Sequence, residues 1–585
     1  MSPLTSTPNP PSHPPTSTDP STTTTKMPSA TQRILVIVGG VAGGMSAATR
    51  ARRLDENASI TVFEKGPYVS FANCGIPYAL SSIIPDPDSL LIQTPESVKN
   101  RFNIDVHINH EVLAIDRGKK VVMVRSKKDG TLEEVPYDKL ILSQGAKPVR
   151  PNLEGVDSPW VFQLTTIADL EGAKEYIASH KVGKAVVIGG GFIGLEAAEN
   201  LRLLGLEVAI VEMGAHVLPP IDADIAEPVH AELRKNGVEL MLGTTVQKIE
   251  GDGVVVEGGE KIPAQMVMLV VGVRARTDLA REAGLNIGKT GVSVNAQMQT
   301  SDPDIYAVGD MVETEQKVTG LRKVLALAGP ANRQGRLAAD HIFGKDVTYR
   351  GNVGAAVVKV FGLTVGITGL SVTELRKLGR DPLWVSAHPP DHAGYYPGAH
   401  PLTLKVAFDR ESGKILGAQG VGVAGVDKRI DVLSTAIQGN MTVFDLEHLE
   451  LVYAPPYGAA KDPVNMVGFI GSNVLRGDVD IVHGQDLSPA DLKKLQVVDV
   501  RSPGEFARGH LKCASNIPVN DLRHDVATLD KGRKTLVYCQ VGYRGYLAQR
   551  ILKQKGFDVV NLDGGYKSVA DGGLRDLQEV PASAC

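Results

Sequence analysis

The chain has 585 residues, 43% of them hydrophobic and 22% charged, with 62 glycines and a formal net charge of −4. That is the size of three or four domains of a soluble α/β protein, and so small a charge gives no electrostatic basis for holding nucleic acid or an acidic membrane surface. No apolar run is long enough to span a bilayer, and four scattered cysteines (Cys74, Cys513, Cys539 and Cys585) exclude a disulfide framework and indicate a reducing, cytoplasmic setting.

Residues 1–30 are nearly all Ser, Thr and Pro. They lack the apolar side chains that offset the entropy of ordering, so they read as a disordered tail. The tail has neither the apolar core of a secretory signal nor the arginines of a transit peptide. At Arg33 the pattern changes. Ile34–Val38 is an apolar strand of the buried parallel kind, followed by Gly39-Gly40-Val41-Ala42-Gly43-Gly44 and a small-residue helix from Met45 to about Leu54. A second strand, Ile60–Phe63, ends in Glu64, 25 residues after Gly39. Strand, glycine turn, helix, strand and acid form a dinucleotide-binding unit, with pyrophosphate on the helix N-terminus and ribose hydroxyls on the carboxylate. Val41 stands where the middle glycine of G-x-G-x-x-G is usual.

Ser70-Phe71-Ala72-Asn73-Cys74-Gly75-Ile76-Pro77-Tyr78 follows. Pro77 suits the first turn of a helix, which puts Cys74 near a positive helix end that favours a thiolate. No second cysteine lies nearby to make a dithiol. Further along, Ala185–Ile188 runs into Gly189-Gly190-Gly191-Phe192-Ile193-Gly194, a full G-x-G-x-x-G opening a helix from Leu195. The next strand, Val208–Val211, ends at Glu212, 23 residues after Gly189. A carboxylate there accepts from a free 2′-hydroxyl and repels a 2′-phosphate, which favours NADH over NADPH.

Two dinucleotide units in one chain point to hydride passing from a nicotinamide to a flavin. With them, Tyr137–Pro148 and Ile305-Tyr306-Ala307-Val308-Gly309-Asp310 make the chain resemble the two-dinucleotide-binding flavoprotein disulfide reductases, although Ser143-Gln144 departs from the commoner Ala-Thr. The single cysteine in S-F-x-N-C-G-x-P-Y is similar to the coenzyme A-disulfide reductases and NADH-dependent persulfide reductases. Further marks of that family are Leu327–Gly335, His392–Gly398, Tyr453–Tyr457 and Lys461-Asp462-Pro463.

The resemblance implies two Rossmann-like dinucleotide-binding domains, an α/β dimerisation domain and a C-terminal rhodanese-like α/β domain. FAD contacts fall on Gly39, Gly40, Ala42, Gly43, Gly44, Glu64, Lys65, Gly145, Gly309, Asp310 and Ala328, and NADH contacts on Gly189, Gly191, Phe192, Ile193, Gly194, Glu212 and Gly272. Coenzyme A, as substrate or mixed-disulfide ligand, maps onto Ser46, Arg50, Arg53, Ser70, Asn73 and Lys461. Arg50 and Arg53 share a helix face, as a phosphate grip or as a solvated basic surface. Tyr395 and Tyr453 are implied to reach across a homodimer to the partner's Cys74, the alternative being ordinary packing tyrosines.

After Leu475-Arg476-Gly477 a further unit closely resembles a single rhodanese domain. Val497–Arg501 reads as a strand, followed by Glu505-Phe506, Gly509-His510 and Asn516-Ile517-Pro518. The strand Thr535–Tyr538 feeds Cys539-Gln540-Val541-Gly542-Tyr543-Arg544 and an amphipathic helix ending near Gly556. Such a loop makes a nest of N–H groups that stabilises a thiolate or persulfide on Cys539. Four residues lie between Cys539 and Arg544, one fewer than a cysteine phosphatase commonly has, which suits sulfur rather than phosphate. Cys513 reads as a packing residue and Cys585 as a tail residue.

The expected organisation is a tail (1–30), an FAD domain in two parts (31–150 and 271–350) around an NADH domain (151–270), a dimerisation domain (351–470), a linker (471–484) and the rhodanese domain (485–585). The expected activity is FAD- and NADH-dependent reduction of persulfides, polysulfides or coenzyme A disulfides through Cys74, with Cys539 and Arg544 handling sulfane sulfur. The alternatives are an NADH oxidase or peroxidase cycling Cys74 through sulfenic acid, and a redox-sensing sulfur-carrier protein.

Overall fold

The computed structural model describes residues 32–579, so the Ser/Thr/Pro-rich tail and Cys585 lie outside the described residues. Ile34–Val38 is the middle strand of a five-stranded parallel sheet, flanked by Ser59–Glu64 and Lys139–Leu142. Asp105–Ile108 closes one edge and Ile305–Ala307 the other. The last strand enters more than 160 residues after its neighbour, because a second sheet is inserted between them. There Lys184–Ile188 is central, between Glu207–Glu212 and Met266–Leu269, with Val238–Leu242 and Val161–Phe162 outermost, all parallel. Ile34–Val38 is apolar throughout and Lys184–Ile188 is apolar after its exposed first residue, and beyond their first residues both are buried on both faces, as helix-covered parallel strands must be.

Both helices that follow the glycine turns begin earlier than the residue pattern suggested, at Ala42 and Phe192 rather than Met45 and Leu195. The closing glycines lie inside the first turn. A Cβ on Gly44 would stand 1.9 Å from the Gly39 carbonyl oxygen, and one on Gly194 2.0 Å from that of Gly189, so only glycine lets each helix pack this close to its own strand. Gly39 and Gly189 make the turns at φ +102° and +108°. The middle position has no such requirement. Val41 is an N-cap at φ −110°, which any residue adopts, and this explains why the non-glycine is tolerated.

The third unit is an antiparallel sheet in the order Ala356–Val360, Leu363–Gly369, Ile415–Gly422, Leu402–Phe408, Leu383–Ala387. Helix Val426–Gln438 packs on strands Leu363–Gly369 and Ile415–Gly422. The C-terminal unit is a parallel sheet ordered Ile481–Val482, Val559–Leu562, Thr535–Tyr538, Gln496–Asp499, Ala514–Asn516. It is docked on the third unit by polar contacts. The Ser386 amide donates to Asp563, Trp384 stacks on His483 at 3.8 Å, and His388 bridges Thr403 Oγ1 (2.9 Å) and Ser568 Oγ (2.8 Å).

Burial, and then the Lys567 charge, hold the His388 imidazole down to about 4 against the opposing pull of Asp571 and Asp563. The ring docks neutral. On acidification below its ordinary value of 6.5, the unfolded chain takes a proton that the folded chain refuses until pH 4. Stability contributed by this site therefore falls between those limits, by about 3 kcal/mol in all. Calorimetric unfolding of the C-terminal unit is expected to show this loss relative to His388→Gln; parallel pH profiles for the two proteins would contradict it.

Candidate functional site

One cavity of about 2080 Å³ runs between the two parallel sheets. Gly39, Ala42, Gly43, Glu64, Lys65, Gly145, Gly309, Asp310 and Ala328 line one part of it, and Gly189, Gly191, Phe192, Ile193, Glu212 and Gly272 another. Asn73 and Cys74 open onto the same space. Gly40, Gly44 and Gly194 are absent from the lining.

Three helices present their N-termini here, starting at Ala42, Phe192 and Ala328. None has a side-chain cap: Val41, Gly191 and Leu327 occupy the N-cap positions. Helices facing elsewhere close theirs with capping boxes at Thr94, Ser371 and Thr442. Uncapped N–H groups aimed into a cavity suit phosphate oxygens. The two acids are built alike. Glu64 accepts from the Gly40 and Gly66 amides (2.9 and 2.8 Å), and Glu212 from the Gly190 and Gly214 amides (both 2.7 Å). Each carboxylate is thereby fixed beside its glycine turn, and the buried Gln144 Oε1 in the cavity wall has no partner within the protein. These features fit two dinucleotides, FAD and NADH.

Ser70 takes a left-handed conformation (φ +49°), donates its amide to the Gly40 carbonyl (2.7 Å) and so ties the cysteine stretch to the first glycine turn. Asn73–Gly75 is a short 3-10 turn leading into helix Ile76–Leu80, with Pro77 second rather than first. This five-residue helix does not produce the low thiol pKa expected from the sequence. Desolvation by the surrounding protein, then the Glu196 and Asp310 carboxylates, raise the Cys74 pKa. Burial also raises Glu196, which accepts from Tyr78 Oη at 3.0 Å, and pushes Asp310 up to about 6. Glu196 was not foreseen; its signal was an acid two residues past Gly194, on the helix against which Ile76–Leu80 packs.

The residues mapped for coenzyme A differ in their surroundings. Ser46 hydrogen-bonds Asn332, and Arg50 pairs with Asp340 on the helix Ala328–Ile342 that packs against its own. Arg53 and Lys461 are exposed. Tyr395 and Tyr453, 58 residues apart in the chain, come together with their hydroxyls 2.7 Å apart. They are 77% and 46% exposed, too open for ordinary packing residues.

In the C-terminal unit Cys539 is 1% exposed at the end of strand Thr535–Tyr538. Its loop turns at Gly542 (φ +97°) into helix Tyr543–Gln554, whose N-terminus has no side-chain cap. Tyr566 and Lys567 amides hold the Cys539 and Gln540 carbonyls at 2.8 and 2.9 Å. Arg544 lies beside Cys539 and is gripped by Glu505 through two hydrogen bonds, of 2.8 and 2.6 Å. Arg501, also unforeseen, is buried against Asp499 and donates to Gln540 Oε1. Cys513 is exposed at φ +64°, so the expected packing role is not met: a turn turns its side chain outward. Among the described residues no helix is long and apolar enough to cross a membrane, and no group of acids, histidines and cysteines could hold a metal.

Residues 33–335 match the family model of the pyridine nucleotide-disulphide oxidoreductases, 355–462 its dimerisation domain and 487–571 the rhodanese-like domain. The coenzyme A disulfide reductase of Staphylococcus aureus (strain JH9) is 35% identical over 437 residues, 74% of this chain and 99% of that protein. The crystal structure of reduced Bacillus anthracis CoADR-RHD superposes with a TM-score of 0.92 at 43% identity, covering 94% of this chain and 99% of that one. A NAD-dependent persulfide reductase from A. fulgidus superposes at 0.86 with 37% identity, covering 92% and 99%.

Proposed function

The chain belongs to the pyridine nucleotide-disulphide oxidoreductases, and from that membership we propose that it is an FAD-dependent enzyme that uses NADH to reduce persulfides, polysulfides or coenzyme A disulfides, with a rhodanese domain handling sulfane sulfur. The observation that carries this reading is the Cys74 thiol opening into the cavity that both glycine turns line. FAD held beside Gly39, Glu64 and Asp310 would supply hydride acceptance from NADH and two-electron reduction of a nearby sulfur.

The protein's own part in the chemistry follows from its residues. Cys74 thiolate attacks the outer sulfur of a persulfide R–S–SH, forming Cys74–S–SH and releasing R–S⁻. With a coenzyme A disulfide it forms the mixed disulfide and releases one coenzyme A thiolate. Two electrons and the accompanying protons then cleave the new S–S bond, freeing sulfide or the second thiol and restoring Cys74. Asp310, raised to about 6, is a carboxyl group beside Cys74 able to hold a proton near neutral pH, and burial raises Glu196 in the same direction.

The working form is a homodimer in the cytoplasm. The family's dimerisation domain supports the pairing, and the exposed Tyr395–Tyr453 hydroxyl pair supports a role in completing the site around the partner's Cys74. Coenzyme A or another thiol would then lie between protomers, near Ser46, Arg50, Arg53, Ser70, Asn73 and Lys461. Three free cysteines among the described residues suit a reducing compartment. The domain organisation read from the sequence, an FAD domain split around an NADH domain, is retained here.

Anaerobic NADH consumption against a panel of persulfides, polysulfides and coenzyme A disulfide tests the reading; turnover with oxygen alone would favour an oxidase. In the same assay NADH is expected to be used much faster than NADPH. Glu212, anchored by two backbone amides, sets a fixed negative charge where a 2′-phosphate would lie. Glu212→Gln is expected to narrow the ratio about tenfold; equal rates with the two nucleotides in the unaltered protein would overturn the assignment.

A further inference from the structure

On the reading that Cys539 carries sulfane sulfur, the charges around its loop indicate the donor. Taking sulfur from thiosulfate brings a dianion up to a thiolate and expels sulfite, also a dianion: Cys539–S⁻ attacks the outer sulfur, the S–S bond to SO3 breaks, and Cys539–S–S⁻ and SO3²⁻ result. That displacement needs uncompensated positive charge beside the sulfur. Taking sulfur from a protonated thiol persulfide moves one negative charge: Cys539–S⁻ and R–S–SH give Cys539–S–SH and R–S⁻.

Arg544 is the guanidinium placed beside Cys539. Both of its terminal nitrogens donate to the two oxygens of Glu505, at 2.8 and 2.6 Å. The pair is only partly open to solvent, with side chains 34% and 20% exposed. Glu505 is fixed in turn by the capping box of its own helix, where it accepts from Ser502. These contacts hold its carboxyl down to about 2, so it remains an anion at any working pH. The second guanidinium, Arg501, is buried and closed by Asp499. The loop's exposed rim is apolar, made by Val541 and Tyr543.

We propose that Glu505 determines donor specificity, cancelling the Arg544 charge so that Cys539 accepts sulfur from thiol persulfides in preference to dianionic thiosulfate. A neutral, apolar-rimmed entrance suits an organic persulfide and offers a dianion only the N–H nest at the Gly542 turn.

The test measures sulfur transfer to dithiothreitol by the full-length holoenzyme, from thiosulfate and from N-acetylcysteamine persulfide, with Cys539→Ser as background. The unaltered protein is expected to favour the persulfide in kcat/KM. Glu505→Gln should raise the thiosulfate value about tenfold and change the persulfide value less than about threefold, while Glu505→Asp keeps the native ratio. Retained Cys539-dependent transfer from the persulfide reports that the C-terminal unit of each variant is folded. Should Glu505→Gln fail to fold, salt gives the second readout. Thiosulfate transfer by the unaltered protein should vary less than about twofold between ~0.05 and ~0.5 M ionic strength, since no net local charge is there to be screened. A strong fall with salt, or an unchanged donor ratio in Glu505→Gln, would overturn the inference while leaving Cys539 as carrier. Absence of Cys539-dependent transfer from both donors would overturn the carrier reading and the inference with it.

Discussion

Cys74→Ser is expected to lower NADH-driven reduction of every sulfur substrate by about a thousandfold or more, with FAD still bound and still bleached by NADH. Serine preserves the size of the side chain on the Asn73–Gly75 turn, so the cavity and both glycine turns should persist. It cannot form a persulfide or a mixed disulfide, so electrons arriving beside residue 74 find no S–S bond to cleave. The raised thiol pKa sharpens the expectation. Burial, then Glu196 and Asp310, disfavour the Cys74 thiolate, so a bound group that offsets them would favour attack. Unaltered turnover in Cys74→Ser, measured by anaerobic NADH oxidation, would remove the cysteine from the path.

Cys539→Ser should instead remove sulfur transfer from donor persulfide to thiol acceptor, again by about a thousandfold, and slow the turnover of bulky or protein-bound persulfides. Cys539 sits in its own loop, on a different sheet from the dinucleotide cavity and absent from its lining. Its surroundings, the uncapped helix at Tyr543 and the Glu505–Arg544 pair, contain nothing that takes hydride. The two cysteines are therefore expected to fail separately, each in its own assay.

Much of this was legible in the residues because it depends on local rules. The buried parallel strands are continuous apolar runs. The glycine turns are needed where a helix start crosses its own strand, and the terminal acids fall at fixed distances from them. What stayed hidden depended on contacts between distant segments. Arg50 and Arg53 share a helix face in the sequence, yet Arg50 is paired with Asp340, 290 residues away, because their helices pack together. Tyr395 and Tyr453 could be read as packing residues until their hydroxyls were found joined on an open surface. Cys513 looked like a small apolar residue, but a left-handed turn exposes it. Arg544 was recognised by its spacing from Cys539, whereas its neutralisation by Glu505, 39 residues earlier, has no local signature.

The central claim is that electrons from NADH reach the sulfur substrate through Cys74 alone, with Cys539 outside that path. The most direct test is anaerobic NADH consumption by Cys539→Ser with a small, freely diffusing persulfide. The account predicts a rate within about twofold of the unaltered protein. Loss of all NADH turnover in that variant would mean that sulfur must pass through the rhodanese domain before it reaches Cys74, and would contradict the account.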